Sequence, residues 1–278
     1  MDLQLRRNQA FSYDDGTDAL INRSITRADI QGTKIGDYAF RGCTQLADLN
    51  TPNVTSIGQY AFKDCTGLTS IDLPNVTTLN ARIFEGCSNL IEATIPNLVT
   101  ATGGYVFNGC TKLTKVSIPK LEYINGAQAM FQGCTLLRVV VFPSHYRTYQ
   151  NYVFRDCTSL EIYDAGKPTI PSGSYNVFNQ HFFNGCSALH TIILRTTNSI
   201  LGLGNVNTFT GTKFASGGTG GTIYIPKALY DHLEDGTSLD YLANANWATV
   251  NGYGTITWAK IEGSQYEHYY ADGTPIPS

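Results

Sequence analysis

One seven-residue pattern, Phe-x-x-Cys-x-x-Leu, recurs along most of the chain. Its seven copies are Phe40/Cys43/Leu46, Phe62/Cys65/Leu68, Phe84/Cys87/Leu90, Phe107/Cys110/Leu113, Phe131/Cys134/Leu137, Phe154/Cys157/Leu160 and Phe183/Cys186/Leu189. All seven cysteines of the chain occupy this one position, and successive cysteines lie 22, 22, 23, 24, 23 and 29 residues apart. A period of roughly 20–29 residues predicts a solenoid, in which each repeat forms one coil and buries its apolar edge against the next.

Each repeat divides into two parts, best seen in the copy from Ile57 to Pro74. The first part has apolar residues and a Gly or Asp before the cysteine, which predicts one turn of helix or 3-10 helix. The second part alternates apolar and polar residues about Ile71 and ends at a proline that has no N–H to donate, which predicts a short strand. The predicted fold class is an α/β repeat, a curved solenoid of about seven to eight coils.

The residues outside the regular repeats predict caps at both ends, because an open coil would expose a hydrophobic face and a free strand edge. We expect residues 1–34 to form an N-terminal cap or lead-in, 35–221 the solenoid, and 222–278 a strand-helix-strand cap. A Pro/Gly/Ser-rich insertion at 166–176 accounts for the longest cysteine spacing. Thr212 takes the cysteine position in a degenerate eighth copy.

The cysteines at one register predict a row of thiols inside the solenoid, where a free cysteine packs as a small hydrophobe. Adjacent coils would bring their Cα atoms to about 4.8 Å, a separation that a disulfide tolerates. The odd number of cysteines and their inward direction nevertheless favour buried free thiols. A metal site is the least favoured reading, because the sequence contains no Cys-x-x-Cys motif and no Cys/His cluster.

Composition argues against several classes of partner. The formal net charge is −3 and only 15% of residues are charged, so no basic face for nucleic acid and no polybasic membrane anchor is expected. No apolar run reaches the ~18 residues of a membrane span. The N-terminus lacks the apolar stretch of a secretory signal. We therefore expect that the protein is carried out of the cell, or that its export signal lies outside this sequence.

The sequence offers no recognisable catalytic or cofactor site. The five histidines are scattered without metal-ligand spacing, and no Gly-x-Ser-x-Gly elbow occurs. The acidic stretch at 14–18 lacks the ligand spacing of a calcium loop. We expect no enzyme, no metal and no cofactor.

The repeat Ile-Gly-x-x-Ala-Phe-x-x-Cys-x-x-Leu-x-x-Ile-x-Leu-Pro resembles the BspA-like leucine-rich-repeat family over about residues 35–194. This resemblance implies a right-handed leucine-rich-repeat solenoid and adhesion to host proteins or cells. The flanks at 19–26, 223–229 and 245–248 resemble those of leucine-rich-repeat proteins encoded in phages and prophages of gut Firmicutes, which implies a virion accessory protein.

Two functional hypotheses follow from these resemblances. The first is a non-enzymatic binding or adhesion module on a phage or prophage virion, as a tail, fibre or capsid accessory protein that recognises a bacterial or mucosal surface. Its partners would be a protein or glycan ligand, other virion proteins, or a second copy of the chain. The second is a bacterial cell-surface adhesin that binds host extracellular proteins. An enzyme with a pocket at the insertion and C-terminal cap is the least favoured reading.

The strand alternation predicts which residues face outward from the sheet. The predicted outward pairs are Asp48/Asn50, Ser70/Asp72, Glu92/Thr94, Lys115/Ser117, Val139/Val141, Ile162/Asp164 and Thr191/Ile193. The early pairs are polar, whereas Val139, Val141, Ile162 and Ile193 are apolar. Such a patch is either covered by the insertion, the C-terminal cap or another copy, or it binds a ligand together with nearby tyrosines, since tyrosine-rich apolar surface is typical of interfaces. The tyrosines are Tyr146, Tyr149 and Tyr152.

Overall fold

The structure is a computed structural model that describes residues 2–5, 24–145, 147–148, 150–165, 176–178, 180–195, 201–202, 207–215, 218–226 and 256–261. These residues form a parallel β-solenoid of about six turns. A typical coil contributes one strand to a first row and one two-residue strand to a second row, and the strands of both rows are numbered together along the chain. The predicted count of seven to eight coils is not confirmed, and the predicted domain boundaries stay a prediction.

The first-row strands are β1 (Asp2–Leu5), β2 (Arg27–Ile30), β4 (Asp48–Asn50), β6 (Ser70–Asp72), β8 (Glu92–Thr94), β10 (Lys115–Ser117), β12 (Val139–Phe142), β14 (Ile162–Ala165), β16 (Thr191–Leu194), β18 (Gly221–Pro226) and β19 (Ile256–Ile261). The second-row strands are β3 (Lys34–Ile35), β5 (Ser56–Ile57), β7 (Thr78–Leu79), β9 (Thr100–Ala101), β11 (Tyr123–Ile124), β13 (Arg147–Thr148), β15 (Asn176–Val177) and β17 (Leu201–Gly202).

Hydrogen bonding divides each row into separate sheets. The first row contains sheets β1-β2-β4, β6-β8-β10 and β12-β14-β16-β18-β19. The second row contains β3-β5, β7-β9-β11-β13 and β15-β17. All pairs are parallel, and the register aligns equivalent residues of successive repeats, as in Ser70 opposite Glu92 and Glu92 opposite Lys115.

A turn segment closes each coil between its second-row strand and its cysteine. The helical or 3-10 turn that the sequence predicts is not observed in the described residues. The reason is the backbone conformation, because φ is positive two residues before the motif phenylalanine, as at Tyr60 (59°), and just before the cysteine, as at Asp64 (60°). Two left-handed residues so close together interrupt a right-handed helix. The segment instead forms tight turns, such as the one closed by Lys63 N–H and Tyr60 C=O at 3.1 Å.

The turn segments are also joined to each other by backbone hydrogen bonds. Phe62 N–H donates to Ile83 C=O of the next coil at 2.9 Å, and Asp64 N–H donates to Glu85 C=O at 2.7 Å. A third side of the solenoid is therefore held by inter-coil bonds although it contains no strand. This satisfies donors that a buried, irregular segment would otherwise leave unpaired.

Stacked phenylalanines form the centre of the core. The first six motif rings stack nearly parallel, with centroids 5.2–5.5 Å apart. The stack continues through Phe183 and Phe209 at 5.9 and 5.8 Å, so the degenerate eighth copy keeps its ring in register. In the later coils further rings pack against Phe154, with Phe142 tilted and Tyr163 and Phe182 edge-on.

The residue before each cysteine is glycine except at Asp64 and Asp156. Each of these aspartates is followed one coil later by a glycine, Gly86 or Gly185. A Cβ atom on either glycine would overlap the carboxylate of the aspartate in the preceding coil. The aspartate therefore requires glycine as its neighbour, in addition to the left-handed backbone that favours glycine there.

We expect Phe107→Ala to lower the free energy of unfolding by about 3–5 kcal/mol, because the ring is fully buried between Phe84 and Phe131. Urea denaturation measures the loss. Tyr105→Ala, which removes a ring from the half-buried outer side of the same coil, is the control and should cost less than half as much. Equal losses would contradict the assigned core position.

We expect Gly86→Ala to destabilise the protein by more than Gly109→Ala. Both residues have φ near 74°, so both substitutions carry about 1–2 kcal/mol of backbone strain. Only at Gly86 does the new methyl group also meet the Asp64 carboxylate, since the atoms nearest to a Cβ at Gly109 lie 3.9 Å away. Adding Asp64→Gly should remove the excess cost. A double-mutant cycle by thermal unfolding tests this, and additive effects would exclude the contact.

Candidate functional site

The motif cysteines lie in one row inside the solenoid, and all of them are buried and free. They are Cys43, Cys65, Cys87, Cys110, Cys134, Cys157 and Cys186. From the second member onward each thiol donates to the carbonyl of the motif phenylalanine in the preceding coil, with S···O distances of 2.9–3.3 Å. Cys157, for example, donates to Phe131 C=O at 3.0 Å.

The phenylalanine carbonyl in this row accepts two hydrogen bonds. Besides the thiol of the following coil, it accepts the N–H of the cysteine in its own coil, as Phe40 C=O does from Cys43 at 3.0 Å. The thiol thus uses the second lone pair of a buried carbonyl, a role that an aliphatic side chain could not perform. The row is therefore held by hydrogen bonds to the backbone in addition to packing.

The thiols have a structural role because their environment suppresses thiolate formation. Burial raises the pKa of Cys87 to about 12 from an ordinary 9.0, and it raises the pKa of Cys65, Cys110, Cys134 and Cys186 as well. A protonated, inaccessible thiol is a poor nucleophile and a poor metal ligand. Within the described part of the chain no three His, Cys, Asp or Glu side chains come together as a metal site.

The outward face of the first row changes character along the solenoid. Its early coils carry ion pairs, Arg27 with Asp48 at 3.3 Å and Lys115 with Glu92 at 3.0 Å. From β12 onward the equivalent positions carry Val139 and Ile162, which oppose each other in the register. The outward alignment expected from the sequence is therefore present in the strand pairing.

The four apolar residues predicted for the patch do not share one environment. Val139, Val141 and Ile162 are partly exposed, whereas Ile193 is only 7% exposed. Between Val141 and Ile193 in the register lies Asp164, whose carboxylate accepts two hydrogen bonds from Arg195 at 2.8 and 2.9 Å. Of the four predicted residues, only the three on β12 and β14 are therefore accessible, and we call them the β12/β14 patch.

Only one of the predicted tyrosines can be placed. Tyr152 lies in a turn segment, where it stacks on His181 at 5.0 Å, so it belongs to another side of the coil than the first-row strands. Tyr146 and Tyr149 lie outside the described residues. The same holds for most of the 166–176 insertion and for the predicted cap helix within 222–278.

A charged pair borders the β12/β14 patch. The Arg138 guanidinium donates two hydrogen bonds to the Glu161 carboxylate, at 3.0 and 2.9 Å. These bonds lower the pKa of Glu161 and raise that of Arg138, so the pair stays ionised. The patch therefore combines aliphatic surface with a fixed, exposed ion pair, which is the polar-rim arrangement of protein interfaces.

Sequence reasoning missed an aromatic row on the turn side of the solenoid. Two positions before the motif phenylalanine, Tyr38 stacks on Tyr60 at 4.8 Å, and Tyr152 stacks on His181 at 5.0 Å in later coils, with Ala129 interrupting the row between them. Arg82 continues the row, with its guanidinium 4.2 Å from the Tyr105 ring centroid. The signal was present in the sequence, because tyrosine recurs at this position at the repeat period.

The sequence profile of the family described as BspA type leucine rich repeat region matches the chain over residues 33–161 and 127–216, with six copies. Together these matches cover well over half of the chain. The protein therefore belongs to the BspA type leucine-rich-repeat family. No curated protein sequence matches it.

Three solved structures are similar to this chain at low identity. A leucine rich repeat protein of T. pallidum is 23% identical, with 66% of this chain and 71% of that chain covered and a TM-score of 0.43. A leucine rich cell surface protein of Faecalibacterium prausnitzii is 19% identical, with 95% and 83% covered and a TM-score of 0.49. The pneumococcal vaccine antigen PcpA is 14% identical, with 93% and 85% covered and a TM-score of 0.46.

None of the described segments is a helix with the length and apolarity needed to cross a bilayer.

We expect the stability of the protein to fall as the pH rises above about 9. Unfolded thiols lose their protons near 9.0, whereas the folded thiols keep theirs because burial raises their pKa. The unfolded state then binds fewer protons, so each raised thiol costs up to about 1.4 kcal/mol per pH unit between pH 9 and its folded pKa. Urea unfolding at pH 7, 9 and 10 measures this dependence.

The matched variant for this experiment is Cys110→Ala. It should be less stable at every pH but should show a shallower decline above pH 9, because one raised thiol has been removed. An unchanged slope would mean that the buried thiols do not cause the pH dependence.

Proposed function

We propose that this protein is a non-enzymatic binding or adhesion module whose ligand-contacting surface is the β12/β14 patch. The observation that carries the proposal is the change of the outward face from ion pairs in β2 to β10 to partly exposed Val139, Val141 and Ile162. Exposed aliphatic side chains on a sheet contribute nothing to the interior of their own coil, and they favour association with another surface.

The interior supports a binding role over a catalytic one. Phenylalanine rings and cysteines fill the described coils, and the thiols are committed to structural hydrogen bonds. A catalytic reaction would have to occur on the exterior. There the charged side chains of Arg138 and Glu161 form an ion pair with each other, and so do those of Lys115 and Glu92. A rigid, repetitive surface of this kind suits recognition of a protein or a glycan.

We further propose that the module acts on a phage or prophage virion, where it recognises a bacterial or mucosal surface. The support is the resemblance of the flanking segments at 19–26 and 223–229 to phage-encoded leucine-rich-repeat proteins. The alternative carrier is the bacterial cell surface, with host extracellular proteins as ligands. Immunodetection on purified virions and on intact cells distinguishes the two, and labelling of cells alone would reject the virion.

We expect Val139→Glu combined with Ile162→Lys to weaken ligand binding at least tenfold without a large change in melting temperature. This pair copies the Glu92–Lys115 pair, which the fold accommodates at equivalent positions two coils earlier. The double substitution replaces apolar contact area with a glutamate and a lysine that can pair with each other, and it leaves the net charge unchanged. Binding to a protein and glycan array identifies the ligand, and titration with that ligand measures the loss.

The control is Glu92→Lys with Lys115→Glu, which reverses the existing pair and should leave binding unchanged. A large fall in melting temperature for the patch variant would show that the chain covers the patch itself. A loss of self-association alone would assign the patch to a second copy of the chain. Unchanged binding, stability and assembly would remove the patch from consideration.

A further inference from the structure

One interface between coils lacks the backbone ladder on both of its sheet sides. Within the described residues, neither β4 and β6 nor β5 and β7 are paired, although each of these strands pairs with its other neighbour. We call this the open interface; it separates the coil of residues 48–65 from the coil of residues 70–87.

Two amide groups show the interruption most directly. Elsewhere the residue after the motif leucine donates to its equivalent in the preceding coil, as Ile91 N–H does to Thr69 C=O at 2.8 Å. Thr69 N–H makes no such bond to Ala47 among the described residues. In the second row Val99 N–H donates to Thr77 C=O at 2.9 Å, whereas Thr77 N–H makes no backbone bond to Thr55.

Longer side chains bridge the open interface where backbone groups meet elsewhere. Thr51 donates its hydroxyl to Asp72 C=O at 3.0 Å. At the next interface the equivalent residue is Leu73, which donates its backbone N–H to Thr94 C=O. Asn80 donates a hydrogen bond from its side-chain amide to Ile57 C=O at 2.7 Å. At the next interface the equivalent residue, Thr102, donates its backbone N–H to Leu79 C=O. A side chain reaches further than an N–H, so these substitutions indicate strands that stand apart.

The core confirms this separation. The central, inward residue of a first-row strand is buried at Ala28, Ile71 and Ala93, with 0–3% exposure. Leu49, the equivalent residue on β4 at the open interface, is partly exposed. Leu49 is therefore less fully covered than its equivalents, although Ile71 on the other side of the interface is only 3% exposed.

The turn side of the same interface remains fully bonded. Tyr60, Phe62 and Asp64 donate their N–H groups to the next coil at 3.0, 2.9 and 2.7 Å, and Lys63 pairs with Glu85 at 3.0 Å. Phe62 and Phe84 keep their stacking at 5.5 Å. On the two strand sides the coils are joined only by side-chain bonds, from Thr51 to Asp72, from Asn75 to Pro52 and from Asn80 to Ile57, and a rotation about the turn edge would have to break them.

A second interruption provides an internal comparison. First-row strands β10 and β12 are not paired, Arg138 N–H lacks the bond to Thr114, and the inward Val116 is partly exposed. There, however, the second-row strands β11 and β13 remain paired. Loss of the ladder and partial exposure of the inward residue thus occur together at both places, but only the open interface lacks the ladder in both strand rows.

We propose that the open interface is a hinge, about which the N-terminal coils through residue 65 rotate on the turn edge relative to the coils from residue 70 onward. Rotation closes or widens the gap between β4 and β6, so it changes the curvature of the outward face. A binding module with such a hinge adapts its face to ligands of different curvature.

Hydrogen exchange at matched amides and a reversible crosslink test the hinge. The variant Asn50→Cys with Asp72→Cys places thiols at equivalent outward positions across the open interface, and Asp72→Cys with Thr94→Cys places them across a paired interface. Paired neighbours lie about 4.8 Å apart, within reach of a disulfide. The native thiols are buried and do not compete.

In the unmodified protein, Thr69 and Thr77 amides should exchange on the order of 100-fold faster than those of Ile91 and Val99. Oxidation with glutathione disulfide should crosslink both variants. The crosslink at the open interface should slow Thr69 and Thr77 exchange at least tenfold, reversibly on reduction, and the crosslink between β6 and β8 should leave both unchanged. Equal exchange at the matched amides would overturn the proposal. The proposal would also be overturned if the Asn50/Asp72 pair failed to crosslink while the Asp72/Thr94 pair formed its disulfide. That result would mean that the gap between β4 and β6 is fixed and never closes.

Discussion

The structure depends on backbone hydrogen bonds that join successive coils on the two strand rows and on the turn side. The two strand rows do this in the usual parallel manner, whereas the turn side does it with residues in left-handed conformations. The Phe62 carbonyl accepts two hydrogen bonds, one from the Cys87 thiol of the next coil and one from the Cys65 N–H of its own coil. Removing either donor would leave part of a buried carbonyl unpaired, which costs about 1–3 kcal/mol.

This requirement explains why the motif positions tolerate so little variety while the outer surface varies freely. Phenylalanine, cysteine and leucine each contact the same residue type above and below, so a change in one coil affects two neighbours. Outward residues contact only their row, and there an ion pair such as Glu92–Lys115 and an apolar pair such as Val139–Ile162 fit the same geometry. Binding specificity can therefore be altered on the face without disturbing the fold.

The same ladder also determines where the solenoid can move. Where all three sides are bonded, as between the coils of Asp72 and Thr94, neighbouring coils form one rigid unit. At the open interface Thr51 and Asn80 donate from their side chains where other coils use backbone donors, so backbone hydrogen bonds are continuous only along the turn edge. The β12/β14 patch lies beside the second, partial interruption, so the surface proposed for binding adjoins the less restrained part of the first row.

The sequence by itself determined the repeat, its period and the inward positions of Phe, Cys and Leu. It also determined the outward alignment of residues such as Ser70 and Glu92. Strand alternation and a constant period follow directly from residue order. The sequence did not determine the backbone conformation of the turn segment. A helical turn and a turn with two left-handed residues show the same apolar spacing, and they differ only in the hydrogen bonds that they can make to neighbouring coils. The burial of Ile193 and the separation of β4 from β6 were likewise decided by the tertiary structure. Both depend on how closely neighbouring coils approach, which no single repeat encodes.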